Sequence, residues 1–413
     1  MRLKNKMQQF NDLSIRGNVF ADKFTKCIKN IGIDFATGLP CGELRYFIYN
    51  LSTDPSIMHK PGLSEQEAIA IAAGAWLGGK NPVVYMQNSG MFKASNDIGS
   101  ILLAAKIPIL MLVAYRGCPG EDATQHLATG HNTVNLLNGF DIKTSELSEK
   151  NIENIVTDSY ENMISNRIPS AILVRRGWSG YRAQNKSQRQ DKELLSDKDQ
   201  YKLDKKILSE SLKKIKDFRI GDKLTMMRDD ALDIVCSVLN EKNAMISTTG
   251  LISRSLYTNH DSSNQFYNAG GFGHTSSIAY GFACARPDIH TVAIDGDGSV
   301  LTNFATFVTI GVNKPKNLLH ILLDNHVYES CSRETTLSYQ ANIPLIAAME
   351  GYENIMIVNN DKSLEKALKL SKKNEGPTLI YGLIQAGGTR NLKRPIQMAD
   401  FAQRFRTYFH LPT

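Results

Sequence analysis

The chain has 413 residues, 42% of them hydrophobic and 22% charged, which is typical of a globular protein and suggests two domains. The net charge of +7 comes without a basic stripe or a recognisable nucleic-acid-binding module, so we expect no nucleic-acid partner. The most apolar region, residues 101–115, is interrupted by Lys106 and Pro108, which argues against a membrane span.

The cysteines and the N-terminus indicate the compartment. The six cysteines show no short paired spacing and no neighbouring histidines of the metal-binding type. Residues 1–11 are polar, and no apolar run typical of a signal peptide follows them. We therefore expect reduced and mostly buried thiols in a cytoplasmic protein.

Predicted helices and strands alternate from residue 11 to residue 184. A helix from Gly17 to Ile31 precedes a short strand that ends at Gly38. Ser64 is positioned to cap a helix of small apolar residues that ends at Gly78, and two buried strands follow, each begun by a proline. Because strands alternate with helices, we expect a mostly parallel sheet.

Two segments after these strands lack a regular apolar pattern. Residues 113–131 are predicted to form a long polar loop that contains Arg116, Gln125 and His126. Residues 185–224 are dense in both charge signs, so we interpret them as a mobile surface linker with one exposed helix.

The second half, residues 225–413, repeats the pattern of the first. A strand leads to Thr249 and Gly250, and a glycine-rich turn at 270–273 precedes a helix of small residues. The chain closes with a helix from Met398 to Tyr408. The repetition predicts a duplicated α/β architecture.

The most informative stretch of this half runs from His290 to Tyr328. A short apolar strand turns at residues 296–299 into a helical segment, and a second apolar strand ends in Asp324-Asn325. The glycines let the backbone approach phosphate oxygens, while Asp297 and Asn325 supply oxygen ligands suited to Mg²⁺. An Asp-Gly turn alone is commonly structural, but the asparagine at the end of the next strand favours a cofactor site.

In this form, GDGS followed after a helix and a strand by DN, the stretch resembles the thiamine diphosphate binding motif. The resemblance implies that Asp297, the Asn325 side chain and the Val327 carbonyl bind Mg²⁺. The run E-x-x-A-x-x-x-A-x-G that begins at Glu65 resembles the activating-glutamate helix of the same enzymes. The residues alone leave a plainer alternative open, since an acid such as Glu67 in a first helical turn usually serves the helix dipole.

Nearly the whole chain, apart from its first ten residues and the linker, resembles the phosphonopyruvate decarboxylase family, which is related to sulfopyruvate decarboxylase. The matching runs are GLP at 38–40, VVYMQNSG at 83–90, RGCPGEDATQH at 116–126, ILVRRG at 172–177, STTGLISRSLY at 247–257, GGFGHTSSIAYGFA at 270–283, the GDGS-to-DN stretch and GTRNLKRP at 388–395. The resemblance implies an α/β class with two doubly wound parallel-sheet domains. These would be a pyrimidine-binding domain at 11–184 and a diphosphate-binding domain at 225–413, joined by the charged linker at 185–224. It also implies a homodimer or larger assembly with active sites at subunit interfaces.

The implied reaction is the thiamine diphosphate- and Mg²⁺-dependent, non-oxidative decarboxylation of 3-phosphonopyruvate to phosphonoacetaldehyde and CO₂, a carbon–carbon lyase reaction of phosphonate biosynthesis. Two departures leave the 2-oxoacid open. Residues 329–333 replace a DSTGGQ-like loop of the family, and residues 123–126 replace an acidic-Pro-Gln-His segment.

Two alternatives to this reaction remain, and a third class is disfavoured. One is another thiamine diphosphate-dependent decarboxylase or carboligase, for example one that acts on sulfopyruvate. Another is a non-catalytic protein that keeps the fold. A nicotinamide dehydrogenase is disfavoured, because no GxGxxG run follows an early strand.

The resemblance also assigns roles to single residues. The first catalytic candidate is Glu65, which would promote proton removal from the cofactor. The second is His126, chosen because an imidazole can exchange a proton near neutral pH, although a lone loop histidine is more often structural or exposed. Phe272 would hold the cofactor in a bent conformation. The cofactor-binding candidates are Gly38, Asn88, Thr249, Gly250, Gly271, Phe272, Gly273, Gly296, Asp297, Gly298, Ser299 and Asn325.

The substrate candidates are mostly basic. They are Arg116, Gln125, Arg254, Arg390 and Arg394. Guanidinium groups bind phosphonate oxygens bidentately, although each of these arginines could equally form an ordinary salt bridge.

Overall fold

The computed structural model describes residues 19–121, 123–175 and 197–411. It contains two sheets, one of six strands and one of seven, and the strand pairs within both are parallel. The predicted α/β class with two parallel-sheet domains is thereby confirmed.

Strands and helices are numbered in chain order. The strands are β1 (Phe35–Gly38), β2 (Met58–His59), β3 (Pro82–Gln87), β4 (Leu110–Tyr115), β5 (Lys143–Glu146), β6 (Ser170–Arg175), β7 (Ile215–Asp217), β8 (Ala244–Ser247), β9 (Gln265–Tyr267), β10 (Thr291–Gly296), β11 (Leu318–Asp324), β12 (Asn354–Val358) and β13 (Thr378–Leu383). The helices are α1 (19–30), α2 (Arg45–Thr53), α3 (Glu65–Leu77), α4 (Asn88–Lys93), α5 (Ser95–Asp97), α6 (Thr124–Gly139), α7 (Ile152–Asn166), α8 (Asp197–Lys213), α9 (Arg228–Val238), α10 (Leu251–Asn259), α11 (Thr275–Ala285), α12 (Asp297–Thr302), α13 (Ala305–Asn313), α14 (Ile343–Glu350), α15 (Asp361–Ser371) and α16 (Met398–Tyr408).

The first sheet has the order β2-β1-β3-β4-β6-β5. Its central strands are buried along almost their whole length, as expected when helices cover both faces of a parallel sheet. Because β2 and β3 lie on opposite sides of β1, the winding direction reverses between β1 and β3, and open sheets bind ligands at the carboxyl ends of strands at such a point. Gly38 ends β1 and Asn88 follows β3, so both residues flank this reversal.

The second sheet has the order β7-β12-β13-β11-β10-β8-β9. Here the winding direction reverses between β8 and β10, since β9 lies at one edge and β10 on the far side of β8. The register pairs Ile294 with Ser247 and Gly296 with Leu323. The segments that follow β8, β10 and β11 therefore leave the sheet at the same edge.

Part of the predicted organisation of the first half was wrong. Residues 113–131, expected as a polar loop, are strand as far as Tyr115 and helix from Thr124, so Gln125 and His126 lie in the first turn of α6. The buried residues of α6 have helical spacing but include a single large apolar side chain: Gly130, Thr133 and Leu137. A helix that buries small and polar residues lacks the apolar period by which sequence patterns reveal helices.

The charged segment also differs from its interpretation as a linker. Residues 11–18 and 176–196 lie outside the described residues, but the rest of the segment contains α8 and β7. β7 pairs with β12, so the second sheet begins inside the predicted linker. The chain separates into two compact units, the second of which begins at Tyr201 and also includes Ala73–Gly79 and Ala104–Lys106. The exact domain boundaries stay a prediction.

All six cysteines fall within the described residues, and none of them forms a disulfide bond. Only Cys27 and Cys118 are buried, so the expectation that most would be buried was wrong. Cys331 is exposed because it lies in the loop that follows β11. Among the described helices, none combines the length and the apolar character that crossing a bilayer requires.

Candidate active site

Three chain segments meet at the carboxyl edge of the second sheet and enclose a pocket. They follow β8, β10 and β11, and Arg228, Phe272 and Ile384 complete the lining of this space, which we call the β10 pocket. Nine predicted cofactor or metal residues line it: Thr249, Gly250, Phe272, Gly296, Asp297, Gly298, Ser299, Asn325 and Val327. The structure thus brings together most of the candidates from the second half of the sequence.

Asp297 is the first residue of α12 and is only 4% exposed. Its Oδ2 accepts hydrogen bonds from the hydroxyls of Thr336, at 2.5 Å, and Ser338, at 3.3 Å. Burial, and then the neighbouring Asp324 carboxylate, raise the pKa of Asp297 to about 7. A cation at this carboxylate would remove the cost of burying its charge.

Asp324, the last residue of β11, is itself tied into the protein. It accepts hydrogen bonds from the Tyr381 hydroxyl at 2.5 Å, the Ser338 hydroxyl at 2.9 Å and the backbone N–H of His326 at 2.9 Å. With these donors, Asp324 shapes the loop after β11 and sets the electrostatic environment of Asp297.

The oxygens available to a metal in this pocket are of mixed type. In the described part of the chain, no three or more histidine, cysteine, aspartate and glutamate side chains gather in a metal-binding arrangement. Asp297, the Asn325 amide and the Val327 carbonyl would instead contribute one carboxylate and two neutral oxygens. Such a hard donor set, which leaves positions for phosphate and water, fits Mg²⁺.

Asn325 is held in place by its neighbours. Its Nδ2 donates to Glu329 Oε2 at 3.0 Å, and its Oδ1 accepts the backbone N–H of Val327 at 3.1 Å. These two bonds fix the orientation of the Asn325 amide, so the loop itself sets the direction of the oxygen that would bind a metal. Glu329 lines the pocket too, and the sequence had marked it only as a departure from the family loop.

The glycine turn before α11 is fixed by hydrogen bonds to its backbone. Asn268 accepts from the N–H of Gly271 at 3.1 Å and donates to the Gly271 carbonyl at 2.8 Å. The Gly273 N–H donates to the Ser299 hydroxyl at 3.1 Å. Gly271 and Gly273 therefore support the pocket wall through their backbones. Phe272 between them is 43% exposed and lines the pocket, so it is not a core aromatic.

Gly298 is required by a close approach. A Cβ atom at this position would lie 2.4 Å from the Tyr328 ring, closer than real side chains come. The glycine therefore lets Tyr328, another lining residue, close against the start of α12. A surface formed by backbone at a helix start is suited to phosphate groups.

A second depression adjoins the β10 pocket and shares Leu251, Glu329 and Ser330 with it. We call it the arginine cleft, because four guanidinium-bearing residues line it: Arg254, Arg333, Arg390 and Arg394. Within the described residues, only Arg333 has a carboxylate neighbour, Glu329 Oε1 at 3.7 Å. The cleft thus carries an excess of positive charge beside the pocket, as an anionic ligand would require.

Glu65 lies in the first compact unit, at the start of α3. It is 8% exposed, and its carboxyl group lies directly against the backbone of Gly90. Glu67 is bound differently, since its Oε2 accepts the N–H of Leu63 at 2.6 Å, while Ser64 Oγ accepts the Glu67 N–H at 3.1 Å. Glu67 therefore serves the helix start, as the plainer alternative states, whereas a role of Glu65 toward a cofactor stays a prediction.

Gly38 and Asn88 act through backbone and packing. Gly38 has a φ of 156°, and a Cβ atom there would lie 2.1 Å from the Tyr85 carbonyl oxygen. The Asn88 side chain is fully buried and donates to the Arg116 carbonyl at 2.7 Å and to Thr133 Oγ1 at 2.9 Å. Asn88 therefore fixes the chain after β4, and contact of its side chain with a cofactor stays a prediction.

The remaining candidates of the first unit differ in their surroundings. Arg116 pairs with the buried carboxylate of Glu121 at 2.6 Å, which also accepts the Gly117 N–H at 2.7 Å. The positive charge of Arg116 is thus compensated by Glu121. Arg116 forms the ordinary salt bridge that the sequence left open as an alternative to substrate binding. Gln125 is exposed, whereas His126 is half-buried, with a buried Nδ1 that has no hydrogen-bond partner among the described residues.

Sequence reasoning missed several residues that shape the site. Arg228, 2% exposed, lines the β10 pocket and donates to Glu329 Oε2 at 3.2 Å. In the sequence, an arginine followed by two aspartates at a helix start is typical of a solvent-exposed first turn. Thr336 and Ser338, the donors to Asp297, carried no spacing signal, because the loop that bears them is irregular.

Comparisons with known proteins agree with this geometry. A family model described as the C-terminal TPP binding domain of thiamine pyrophosphate enzymes matches residues 248–381. The X-ray structure of a Mycobacterium smegmatis protein, described as a thiamin diphosphate-dependent enzyme, is similar in fold with a TM-score of 0.68. It covers 89% of this chain and 99% of its own at 12% identity. Fold and pocket together define a thiamine diphosphate-binding enzyme.

Curated relatives narrow the class. A phosphonopyruvate decarboxylase of Streptomyces viridochromogenes is 30% identical over 93% of this chain and 94% of its own length. A sulfopyruvate decarboxylase of Methanosarcina acetivorans is 26% identical over 93% of this chain and 96% of its own. The chain belongs to the phosphonopyruvate decarboxylase family of thiamine diphosphate-dependent 2-oxoacid decarboxylases, and it is a carbon–carbon lyase.

Proposed function

We propose that this enzyme decarboxylates 3-phosphonopyruvate to phosphonoacetaldehyde and CO₂, as a step of phosphonate biosynthesis. The observation that carries the proposal is the arginine cleft beside the β10 pocket. In 3-phosphonopyruvate the phosphorus is two bonds from the reacting carbonyl carbon, so a substrate whose carbonyl lies at the pocket would bring its phosphonate to the adjoining cleft. Guanidinium groups without carboxylate partners match a phosphonate there.

The donor set supports thiamine diphosphate held by Mg²⁺. Asp297, Asn325 and the Val327 carbonyl would bind the metal, and the backbone at the start of α12 would face the phosphates. When bound, the cofactor supplies the carbanion chemistry that breaks the bond to the carboxylate. The protein's own residues would bind the cofactor and the metal, orient the substrate and transfer protons.

Two residues of the first unit have proton-transfer roles in this proposal. Glu65 would hold a proton-bearing hydrogen bond to the cofactor's pyrimidine ring, which its burial against Gly90 supports. Loss of CO₂ consumes one proton at the carbon that carried the carboxylate. We assign its delivery to His126, whose half-buried ring has a buried Nδ1 with no hydrogen-bond partner in the described part of the chain.

A second candidate substrate is sulfopyruvate. Glu329 lies where the arginine cleft meets the β10 pocket, and its carboxylate offsets the positive charge of Arg228 and Arg333 there. A carboxylate at that position favours the singly charged sulfonate relative to the doubly charged phosphonate. The arginines favour both acids over pyruvate.

The proposal includes a cytoplasmic homodimer or larger assembly with active sites at subunit interfaces. Large apolar side chains exposed on the second unit support it, among them Leu337, Tyr339 and Ile396 at 65%, 57% and 80%. Sedimentation of the purified protein across a concentration series tests this part, and a monomer at all concentrations would contradict it.

The decisive experiment measures aldehyde release from phosphonopyruvate, sulfopyruvate and pyruvate, with Mg²⁺ and thiamine diphosphate present and with Glu65→Gln as a control. Turnover of phosphonopyruvate that is lost in the variant supports the proposal. Preferential turnover of sulfopyruvate establishes the second candidate. No turnover of any of the three, despite cofactor binding, refutes both.

A further inference from the structure

Residues 388–394, which carry Arg390 and Arg394 on the rim of the arginine cleft, are exposed for most of their length. An exposed loop does not by itself hold two guanidinium groups in a fixed position. The structure contains an arrangement that does so from the buried side, at the start of α9.

Both backbone polar groups of Thr389, its N–H and its carbonyl, form hydrogen bonds to charged side chains. Asp229 Oδ2 accepts its N–H at 2.6 Å, and Arg228 Nη2 donates to its carbonyl at 3.1 Å. A further bond holds the far end of the loop, where the Lys393 N–H donates to Thr258 Oγ1 at 3.0 Å. Charged groups on both sides of one residue's backbone make this attachment strong and directional.

The same guanidinium reaches the β10 pocket. Arg228 Nη1 donates to Glu329 Oε2 at 3.2 Å, and that oxygen also accepts from Asn325 Nδ2 at 3.0 Å. Arg228 Nε donates to Ser255 Oγ and Asp229 Oδ1, both at 3.3 Å. One buried side chain therefore joins the proposed metal ligand to the loop that bears the cleft arginines.

We propose that Arg228, together with Asp229, is a positioning residue that fixes the cleft arginines relative to the β10 pocket and so sets the affinity for the distal anion of the substrate. The inference rests on the proposed function, because it takes Arg390 and Arg394 as anion ligands. Neither Arg228 nor Asp229 touches the substrate in this account. Their effect passes through the backbone of Thr389 and through Glu329.

Two adjacent glycines offer a matched test. Gly387 and Gly388 both have left-handed backbone conformations, with φ of 133° and 118°, so alanine is strained at either position. A Cβ atom on Gly388 would lie 2.8 Å from both Arg228 Nη2 and Asp229 Oδ2, whereas a Cβ atom on Gly387 meets nothing within 4 Å. Gly388→Ala therefore displaces the two side-chain ends that hold the loop, and Gly387→Ala controls for backbone strain.

The experiment measures binding of phosphonoacetate to the enzyme loaded with thiamine diphosphate and Mg²⁺ by titration calorimetry. We expect Gly388→Ala and Arg228→Met to weaken binding about tenfold or more, and Gly387→Ala to weaken it less than about threefold. For a substrate that is turned over, KM rises in the first two variants while kcat changes less. Gly388→Ala keeps the test available if Arg228→Met does not fold, because Gly388 is exposed.

Equal effects of Gly387→Ala and Gly388→Ala would overturn the inference, as would normal binding by Arg228→Met or no binding by the parent enzyme. The outcome is separable from the proposed function. If phosphonopyruvate is not turned over but phosphonoacetate binding follows the expected pattern, the positioning role stands and the proposed reaction fails.

Discussion

Replacement of Gly90 by alanine tests the proposed role of Glu65 without removing the carboxylate. Gly90 lies in α4, and an added methyl group would lie 1.9 Å from Glu65 Oε1 and 2.0 Å from its Cδ. Ordinary contact begins at 3.4 Å, so the carboxyl group must retreat by about 1.5 Å, the difference between contact and the Oε1 distance.

The effects on activity and on stability should diverge. A catalytic group misplaced by about 1 Å costs about 100-fold in rate, so we expect kcat to fall about 100-fold or more, equivalent to about 2.7 kcal/mol. The nearest clashing atoms, Oε1, Cδ and Cγ of Glu65, all belong to one side chain and none to the backbone, so a change of rotamer can relieve the clash. The free energy of unfolding should therefore change by less than about 1 kcal/mol.

Initial rates of aldehyde release measure kcat, and thermal and urea unfolding measure stability. Gly99→Ala is the matched control in the same unit, because a Cβ atom there would meet Phe140 at an ordinary 3.7 Å. It should keep kcat within about threefold of the parent enzyme. A folded Gly90→Ala enzyme with unchanged kcat would refute the assignment of Glu65.

Three further predictions follow from the site. Burial raises the pKa of Asp297 to about 7, and Mg²⁺ needs the ionised carboxylate. Mg²⁺ affinity measured by calorimetry should therefore fall about tenfold per pH unit below pH 7. An affinity that does not change with pH would contradict this. Arg390→Met should raise KM for phosphonopyruvate about tenfold, whereas Arg219→Met, which removes an exposed charge paired with an aspartate, should leave it unchanged within about threefold; equal effects would argue against the cleft. Glu67→Gln should lower the free energy of unfolding by roughly 1 kcal/mol and spare kcat, the reverse of Glu65→Gln, and a converse pattern would exchange the roles of the two glutamates.

The parts of the site that lie on continuous strand–turn–helix segments could be predicted from the sequence. The strand that precedes Asp297 and the strand that precedes Asn325 are short apolar runs, and parallel neighbours place their ends side by side. The bonds that tie Glu67 to the start of its helix are also local, since they join residues three or four positions apart. Each of these features is encoded within about forty residues of chain.

Other features depended on contacts that no local pattern contains. The helix that carries His126 buries small and polar residues, so it has no apolar period. β7 is a strand because its backbone pairs with β12, although its own segment is charged.

The contacts of Arg228 in the site could not be predicted from local sequence patterns either. Arg228 meets Glu329 and the Thr389 carbonyl across 101 and 161 positions of sequence. The sequence by itself determined the two-sheet architecture and the residues at the strand ends, because periodicity and turn chemistry are local, while the cofactor class came from its resemblance to a known family. Only the tertiary structure decided which arginines of the described chain lack a carboxylate partner, because long-range packing brings the partners together. For the same reason only the structure showed that Arg228 is buried and holds the loop that carries Arg390 and Arg394.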